Sequence, residues 1–310
     1  TAYEISLGLV GSEMCIRDSY LPMRAVERGI RMAVEELSDS REAGLDAARA
    51  IMTTDTVPKE VAVKVELADG KIATIAGIAK GSGMVNPQMR TATTLTFLTT
   101  DAAITARALK RALSLTVDKS LNMLNIDNET STSDMVLIMA NGRARNRKIT
   151  LQSYDPNFQE GLECVLTHLA WMLAQDGEGA SKLLEAHISG AKTRDEARIA
   201  AKTIVGSNLV KSAIFGRDPN WGRVVAALGY SGARFDPRRV RVGIASERGS
   251  VLLVKGERPP TRRQLQRARD ILRSREVEIH VDLGVGKQQA VAWGCDLTYD
   301  YVRINSKYTT

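Results

Sequence analysis

The chemistry this chain can perform is narrowed first by the catalytic patterns it lacks. There is no GxSxG elbow, no HExxH pair and no Walker A loop, because the glycines of Lys80-Gly81-Ser82-Gly83 lack the GxxxxGK[ST] spacing. The three histidines, His168, His187 and His280, are scattered along the sequence in predicted helix or strand interiors and are read as structural. A histidine-based triad is therefore not expected. One chemistry needs no histidine: a threonine hydroxyl activated by its own α-amine once that residue becomes a chain terminus. A free α-amine titrates near pH ~8, so much of it is an unprotonated base at neutral pH, tethered to the hydroxyl it must deprotonate. Ala92-Thr93 has the small preceding residue and the loop-to-strand position this requires. Many Ala-Thr pairs do as well, and from chemistry alone a threonine in an ordinary strand is the better reading.

The elements around that pair are those of a mixed α and β protein. Met23, Val26, Ile30, Val34 and Leu37 fall at helical spacing, and Leu45 to Met52 suggests a second helix. Val61, Val63, Val65 and Leu67 alternate, Asp69-Gly70 supplies a turn, and Lys71 to Ile78 continues as a second strand, giving a hairpin. The Thr-rich stretch from Thr93 to Thr100 favours a strand. Helices are predicted at Ala106–Leu124, Phe158–Leu173, Asp195–Phe215 and Thr261–Arg273. Strands are predicted at Met135–Met139, Leu183–Ile188, Val240–Ile244, Val251–Val254, Val277–Leu283 and Ala290–Leu297. Regular βαβ spacing is absent and hairpins imply antiparallel pairing, so the expected fold class is α+β, with mixed sheets sandwiched by helices.

Composition fits a globular protein of 310 residues, 44% apolar and 25% charged. The net charge of +7 would permit contact with nucleic acid, but the basic residues are dispersed, and the densest cluster, Arg262 to Arg275, reads as one solvated helix face. Cys15, Cys164 and Cys295 form no CxxC pair, which argues against a disulfide framework or zinc ligands and fits a reducing cytoplasm. No apolar run approaches the ~20 residues that span a bilayer, so no membrane partner is expected. Residues 1–19 lack clear periodicity, and SLGLVGSEMCIRDS resembles the translation of a sequencing adapter, so this segment is expected to be non-native.

Resemblance to a known family decides what spacing leaves open. KGSGMVNPQM (80–89) followed by ATTLTFLTTDA (92–102) resembles the autoproteolytic site of the ornithine acetyltransferase (glutamate N-acetyltransferase) family of arginine biosynthesis. IMTTDTVPKE (51–60), SDMVLIMANG (133–142), DGEGASK (176–182), GRDPNWGRVVAALGYSG (216–232) and WGCDLTYDYVRINSKYTT (293–310) are similar to family segments in the same order. The resemblance implies a self-processing N-terminal-threonine acyltransferase fold, cleaved between Ala92 and Thr93, with Thr93 as nucleophile. It implies substrate contacts from Thr54, Lys80, Thr93, Glu178, Asn305 and Thr310. Lys80 suits a carboxylate, Glu178 an amine, and the Asn and Thr side chains hydrogen-bond an α-amino-acid group.

The implied reaction is ping-pong transfer of acetyl from N-acetylornithine to glutamate, with no metal or cofactor and with acetyl-CoA as a candidate co-substrate. The implied assembly is a cytoplasmic heterotetramer of two α and two β fragments. The implied organisation is an N-terminally truncated α portion at 20–92, since the family's α fragment begins well before this one, then a first β portion carrying the nucleophile at 93–215, and a C-terminal part at 216–310 that completes the substrate site. Two departures from the family stand out. Its Thr-Gly oxyanion pair falls at Met14-Cys15 here, and Arg90-Thr91 is a two-residue insertion that makes Thr91 a second candidate nucleophile. Losing an oxyanion donor costs ~10²–10³ in rate, so the chain as it stands is expected to be poorly folded or inactive. The competing expectations are an N-terminal-nucleophile aminopeptidase or amidohydrolase, and a non-catalytic basic nucleic-acid-binding protein.

Overall fold

The computed structural model describes residues 6–10 as backbone, together with 22–87, 94–131 and 134–307. In chain order these form β1 (Ser6–Val10), α1 (Met23–Glu35), α2 (Arg41–Ala50), β2 (Lys59–Glu66), β3 (Ile72–Lys80), β4 (Leu95–Thr100), α3 (Ala106–Lys119), β5 (Met135–Ala140) and α4 (Pro156–Gln175). They continue as β6 (Leu183–Ala191), α5 (Arg194–Gly206), α6 (Asn208–Phe215), α7 (Trp221–Tyr230), β7 (Arg241–Ser246), β8 (Gly249–Lys255), α8 (Arg262–Ile271), β9 (Glu276–Asp282), β10 (Gln288–Cys295) and α9 (Tyr299–Lys307).

Ten strands make two five-stranded sheets, ordered β1-β5-β4-β3-β2 and β10-β6-β9-β7-β8. Both are mixed. The predicted hairpin forms as β2–β3, and β3–β4 is also antiparallel, but β4–β5 and β6–β9 run parallel. The mixed sheets expected from the sequence are thus found: α3 lies between β4 and β5, the kind of crossover that returns the chain in the same direction. The α+β class stands.

Helix α3 turns Leu109, Leu113 and Val117 inward at a four-residue period, and each is essentially fully buried. Burial at that level stabilises by about 1.5–3 kcal/mol per side chain. Helices α3 and α4 pack on the first sheet, and α4 also reaches β10 and β6, tying the two sheets together. Helix α5 covers β10 and β6, while α8 covers β7 and β8.

The helix predicted to run unbroken from Asp195 to Phe215 is two helices, corrected by the extended backbone of Ser207. A Cβ at Gly206 would lie 2.2 Å from Asn125 Nδ2, and Asn128 Nδ2 donates to the Gly206 carbonyl at 2.7 Å. The chain kinks where that carbonyl is taken by a side chain, and Ser207 restarts the helix by accepting from Val210 N–H. Helices α7 and α9 were not predicted from periodicity. The second buries no residue of its own, so it leaves no apolar stripe to read.

Within residues 1–19, Ser6–Val10 pairs antiparallel with β5 at the sheet edge. A cut at Ala92–Thr93 would pass through the first sheet, leaving β2 and β3 before it and β4 and β5 after it.

Candidate active site

The segment Thr53–Lys59 leaves α2 and enters β2 carrying a buried charge cluster. Lys59 is fully buried and its ammonium donates to Asp55 Oδ1 at 2.7 Å, Asp176 Oδ2 at 2.6 Å and the Val57 carbonyl at 3.1 Å. Asp55 also accepts from the Gly81 N–H at 2.8 Å and the Thr53 N–H at 3.2 Å. Burial pushes the Asp55 carboxyl up, but the Gly81 N–H, the Lys59 ammonium and the Thr53 N–H outweigh it and hold the group below its ordinary value. Asp176 accepts from the Thr56 N–H at 2.9 Å and from its hydroxyl. One cation therefore clamps the loop bearing Thr54 to the glycine loop after β3 and to the end of α4.

That glycine loop is held from its other side as well. Asp127 accepts from Met84 N–H at 2.6 Å and Val85 N–H at 3.0 Å, which fixes Met84 in a left-handed conformation at φ 54°. Ser82 is buried, its hydroxyl 2.6 Å from that of Thr54, and its carbonyl accepts from the Glu178 N–H at 2.8 Å. Gly83 is where Glu178 comes closest: an added Cβ would lie 2.4–2.5 Å from its carboxylate atoms. Only hydrogen leaves room for that carboxylate.

The C-terminal helix is brought in by polar contacts rather than by a core. Asp296 accepts from the Ser181 N–H at 2.8 Å and hydroxyl at 2.5 Å, and from the Lys182 N–H at 3.0 Å. Thr298 donates to the Gly179 carbonyl at 2.6 Å and accepts from Asp300 N–H, starting α9. Gly179 has φ 67°, and a Cβ there would lie 2.6 Å from Tyr301 N, so glycine satisfies both the backbone and the helix contact. Seated this way, α9 aims Asn305 Nδ2 at Glu178 Oε2, 2.7 Å away.

Four residues named from the sequence therefore meet, although they lie in segments far apart in the chain. Thr54 bonds to Ser82, Lys80 donates to the neighbouring Thr53 hydroxyl at 3.2 Å, and Glu178 and Asn305 bond to each other. Thr93, Ala92 and Thr310 lie outside the described residues, as do Met14-Cys15 and Arg90-Thr91. Thr94 follows Thr93 in the chain, and its methyl lies 3.7 Å from where a Gly81 Cβ would be; Leu95 pairs with Lys80 in the β3–β4 register. On the other flank, the Pro87 carbonyl accepts from Lys202 Nζ at 2.8 Å. Lys202 lines an open cleft of about 1000 Å³ with Asn86, Pro87, Asn128 and Tyr230, and burial lowers its pKa to about 8, with the Arg198 cation adding to the effect.

Sequence reasoning missed the supporting carboxylates Asp55, Asp127 and Asp176, and it missed Tyr301. The tyrosine faces Asp127 and Glu178, and its phenol is pushed up to about 12, first by burial and then by the carboxylates of Asp127, Glu178 and Glu129. The aspartates carry a faint signal, since each follows or precedes a short polar turn, but their partners are distant in sequence. Cys295 is buried and its thiol is raised to about 11 by that burial, which makes it unreactive.

Such a site combines a cation for a carboxylate (Lys80), an anion for an ammonium (Glu178) and hydrogen-bonding amide and hydroxyl groups, joined through Ser82 and Thr53. It has the polarity pattern of an amino-acid pocket. Comparison with known proteins shows the family. The ArgJ family model matches residues 6–310. The arginine biosynthesis bifunctional protein ArgJ of Symbiobacterium thermophilum is 51% identical over 291 residues, which is 94% of this chain and 70% of that protein. The glutamate N-acetyltransferase of Methanothermobacter thermautotrophicus is 46% identical over 313 residues, covering 98% of this chain and 73% of that protein. The crystal structure of arginine biosynthesis bifunctional protein ArgJ from Bacillus halodurans matches with a TM-score of 0.63 at 41% identity, covering 68% of this chain and 97% of that one. With a family model matched over nearly its whole length, this chain belongs to the ArgJ family.

Proposed function

We propose that this protein is an acetyltransferase that moves acetyl from N2-acetylornithine to glutamate through an acetyl-Thr93 intermediate, after cleaving its own Ala92–Thr93 bond. The observation that carries it is the linkage of Thr54 to Glu178 and Asn305 through Ser82, with Lys80 on the neighbouring Thr53 and in register with Leu95, two residues after Thr93. In maturation the Thr93 hydroxyl adds to the Ala92 carbonyl and the acyl group passes from nitrogen to oxygen, which frees the Thr93 α-amine; water then hydrolyses the resulting ester, releasing the Ala92 carboxylate and restoring the Thr93 hydroxyl. That neutral amine then takes the hydroxyl proton as Thr93 Oγ attacks the acetyl carbonyl, and it returns the proton to the leaving amine of ornithine. Glutamate enters the same pocket, its α-amine attacks the acetyl ester, and N-acetylglutamate departs. Lys80 would pair with the substrate carboxylate and Glu178 with its ammonium, with Thr54, Asn305 and Thr310 completing the hydrogen bonds.

Pairing of β3 with β4 across the proposed cut would keep the α and β fragments together; the proposed assembly of two such pairs is α2β2, working in the cytoplasm. No described helix is long and apolar enough to cross a membrane. No metal or cofactor takes part in these steps, and acetyl-CoA is a second candidate donor. The test incubates the purified chain with N-acetylornithine and glutamate and measures N-acetylglutamate. Transfer supports the proposal, release of free acetate without transfer points to an N-terminal-nucleophile hydrolase, and a chain that does neither is the outcome expected from Met14-Cys15 standing where the family carries its Thr-Gly pair. Replacing N-acetylornithine by acetyl-CoA in the same assay separates one donor from two.

A further inference from the structure

A second cluster of reactive side chains lies on the open face of the second sheet and has no part in the proposed transfer. Strands β6 and β9 are parallel neighbours, and their register places Glu185 beside Glu278 and His187 beside His280. Residues two apart on a strand share a face, so all four side chains project from the same side. The two imidazoles stack, with centroids 4.7 Å apart and planes inclined by 16°. Glu278 Oε2 sits 2.7 Å from His280 Nε2 and 3.9 Å from His187 Nε2, while Glu185 Oε2 sits 3.1 Å from His187 Nε2. One carboxylate oxygen is thus approached by the same ring nitrogen of both histidines, and ligand atoms of His187, Glu278 and His280 all lie within 4.8 Å of one another.

The surroundings leave this cluster accessible. His187 and His280 line an open cleft of about 960 Å³, and their side chains are 31% and 48% exposed. Gly243 is the β7 residue in register with His280, so that neighbour adds no side chain beside it. Three other cations around the cleft have their own acids: Lys119 pairs with Glu163 at 2.8 Å, and Arg194 and Arg198 pair with Asp118.

We propose that His187, His280 and Glu278, with Glu185 as fourth ligand or as hydrogen-bond support, bind a divalent transition-metal ion of the imidazole-preferring class, such as Zn²⁺. Two imidazoles and a carboxylate suit zinc, cobalt, nickel or copper and are a poor match for magnesium or calcium, which take oxygen ligands. Zinc bonds of ~2.0–2.2 Å in a tetrahedron require donor atoms about 3.3–3.5 Å apart. Reaching that from the present spacing takes side-chain shifts on the order of 1 Å, which half-exposed residues can make without moving the strands. Water from the cleft would fill any remaining position. The ion would bridge β6 and β9, two inner strands of the second sheet. Sequence reasoning set both histidines aside because they are far apart in the chain; only the parallel register brings them together.

The site is independent of the transferase reading and is tested without an activity assay. The untagged full chain is stripped with chelator and titrated with ZnCl₂ by calorimetry and with CoCl₂ by visible absorption. His187→Gln/His280→Gln and Cys164→Ser variants run alongside, and circular dichroism checks their folding. The expected result is one equivalent of Zn²⁺ bound, intense Co²⁺ absorption of low coordination number, and a Zn²⁺-dependent rise in Tm. The double variant should lose at least about 100-fold in affinity, since even second-shell losses cost ~10–100-fold, and Cys164→Ser should bind as the parent does. Should the double variant not fold, His280→Gln alone carries the comparison, because its side chain is about half exposed. Equal Zn²⁺ binding by the parent and the histidine variant, or no binding by the parent, would overturn the proposal.

Discussion

Replacing Lys59 by Met should cost this protein far more than an ordinary surface substitution. Lys59 is fully buried, with the Asp55 and Asp176 side chains 0% and 9% exposed around it, so its removal leaves two carboxylates facing one another away from water. Removing one partner of a buried ion pair costs ~3–5 kcal/mol. Methionine fills much of the space, so little of that cost is a cavity. Asp55 holds Thr53 and Gly81, and Asp176 holds Thr56, so the same change should loosen both loops that carry Thr54 and Lys80.

The pH dependence gives the sign. In the parent, the lowered pKa of Asp55 contributes stability that is present above its ordinary value of 3.8 and is lost as pH falls through the lower folded value. In Lys59→Met the uncompensated carboxylates are relieved by protonation, so the deficit should be largest near neutrality and shrink in acid. Urea unfolding of both proteins across pH measures this. A loss below about 1 kcal/mol that does not change with pH would refute the reasoning, because that is how an exposed pair behaves.

Two further outcomes follow from the same geometry. Gly83→Ala should drive the Glu178 carboxylate aside, because the new Cβ would lie 2.4 Å from its Cδ. The flexible acid can swing away, so Tm should barely move, while KM rises ~10–100-fold, the worth of a charge-assisted hydrogen bond; an unchanged KM would contradict the placement of Glu178. Lys202 is lowered to about 8 by burial, so the folded state sheds its proton before the unfolded chain does near 10.5. Stability should therefore climb as pH rises through that window, by at most roughly 3 kcal/mol. Lys202→Met should flatten the climb, and an identical pH profile in both proteins would show that the ammonium is not desolvated.

Elements built on periodicity were legible in the sequence. The β2–β3 hairpin, α3, α4 and strands β5 to β10 follow from alternation, apolar runs or four-residue spacing, whereas β1 falls in a segment without clear periodicity. What was not legible depends on contacts between distant residues. The α5–α6 break comes from Asn128 taking the Gly206 carbonyl, and α9 stands on Asp296, Thr298 and Gly179 rather than on an apolar stripe. The site divides the same way. Thr54, Lys80, Glu178 and Asn305 could be named through resemblance to a family, but resemblance to motifs did not mark Asp55, Asp127 and Asp176, whose role is to hold other loops. The pairing of His187 with His280 was invisible for a simpler reason: register between parallel strands is set by the sheet, and no local pattern encodes it.

The central claim is self-cleavage at Ala92–Thr93, and the most direct test is the intact mass of the freshly purified chain measured beside Thr93→Ala. The account predicts fragments 1–92 and 93–310 from the parent and a single uncut chain from the variant. A parent that folds cooperatively yet stays uncut, or a variant that cleaves at the same bond, would contradict it.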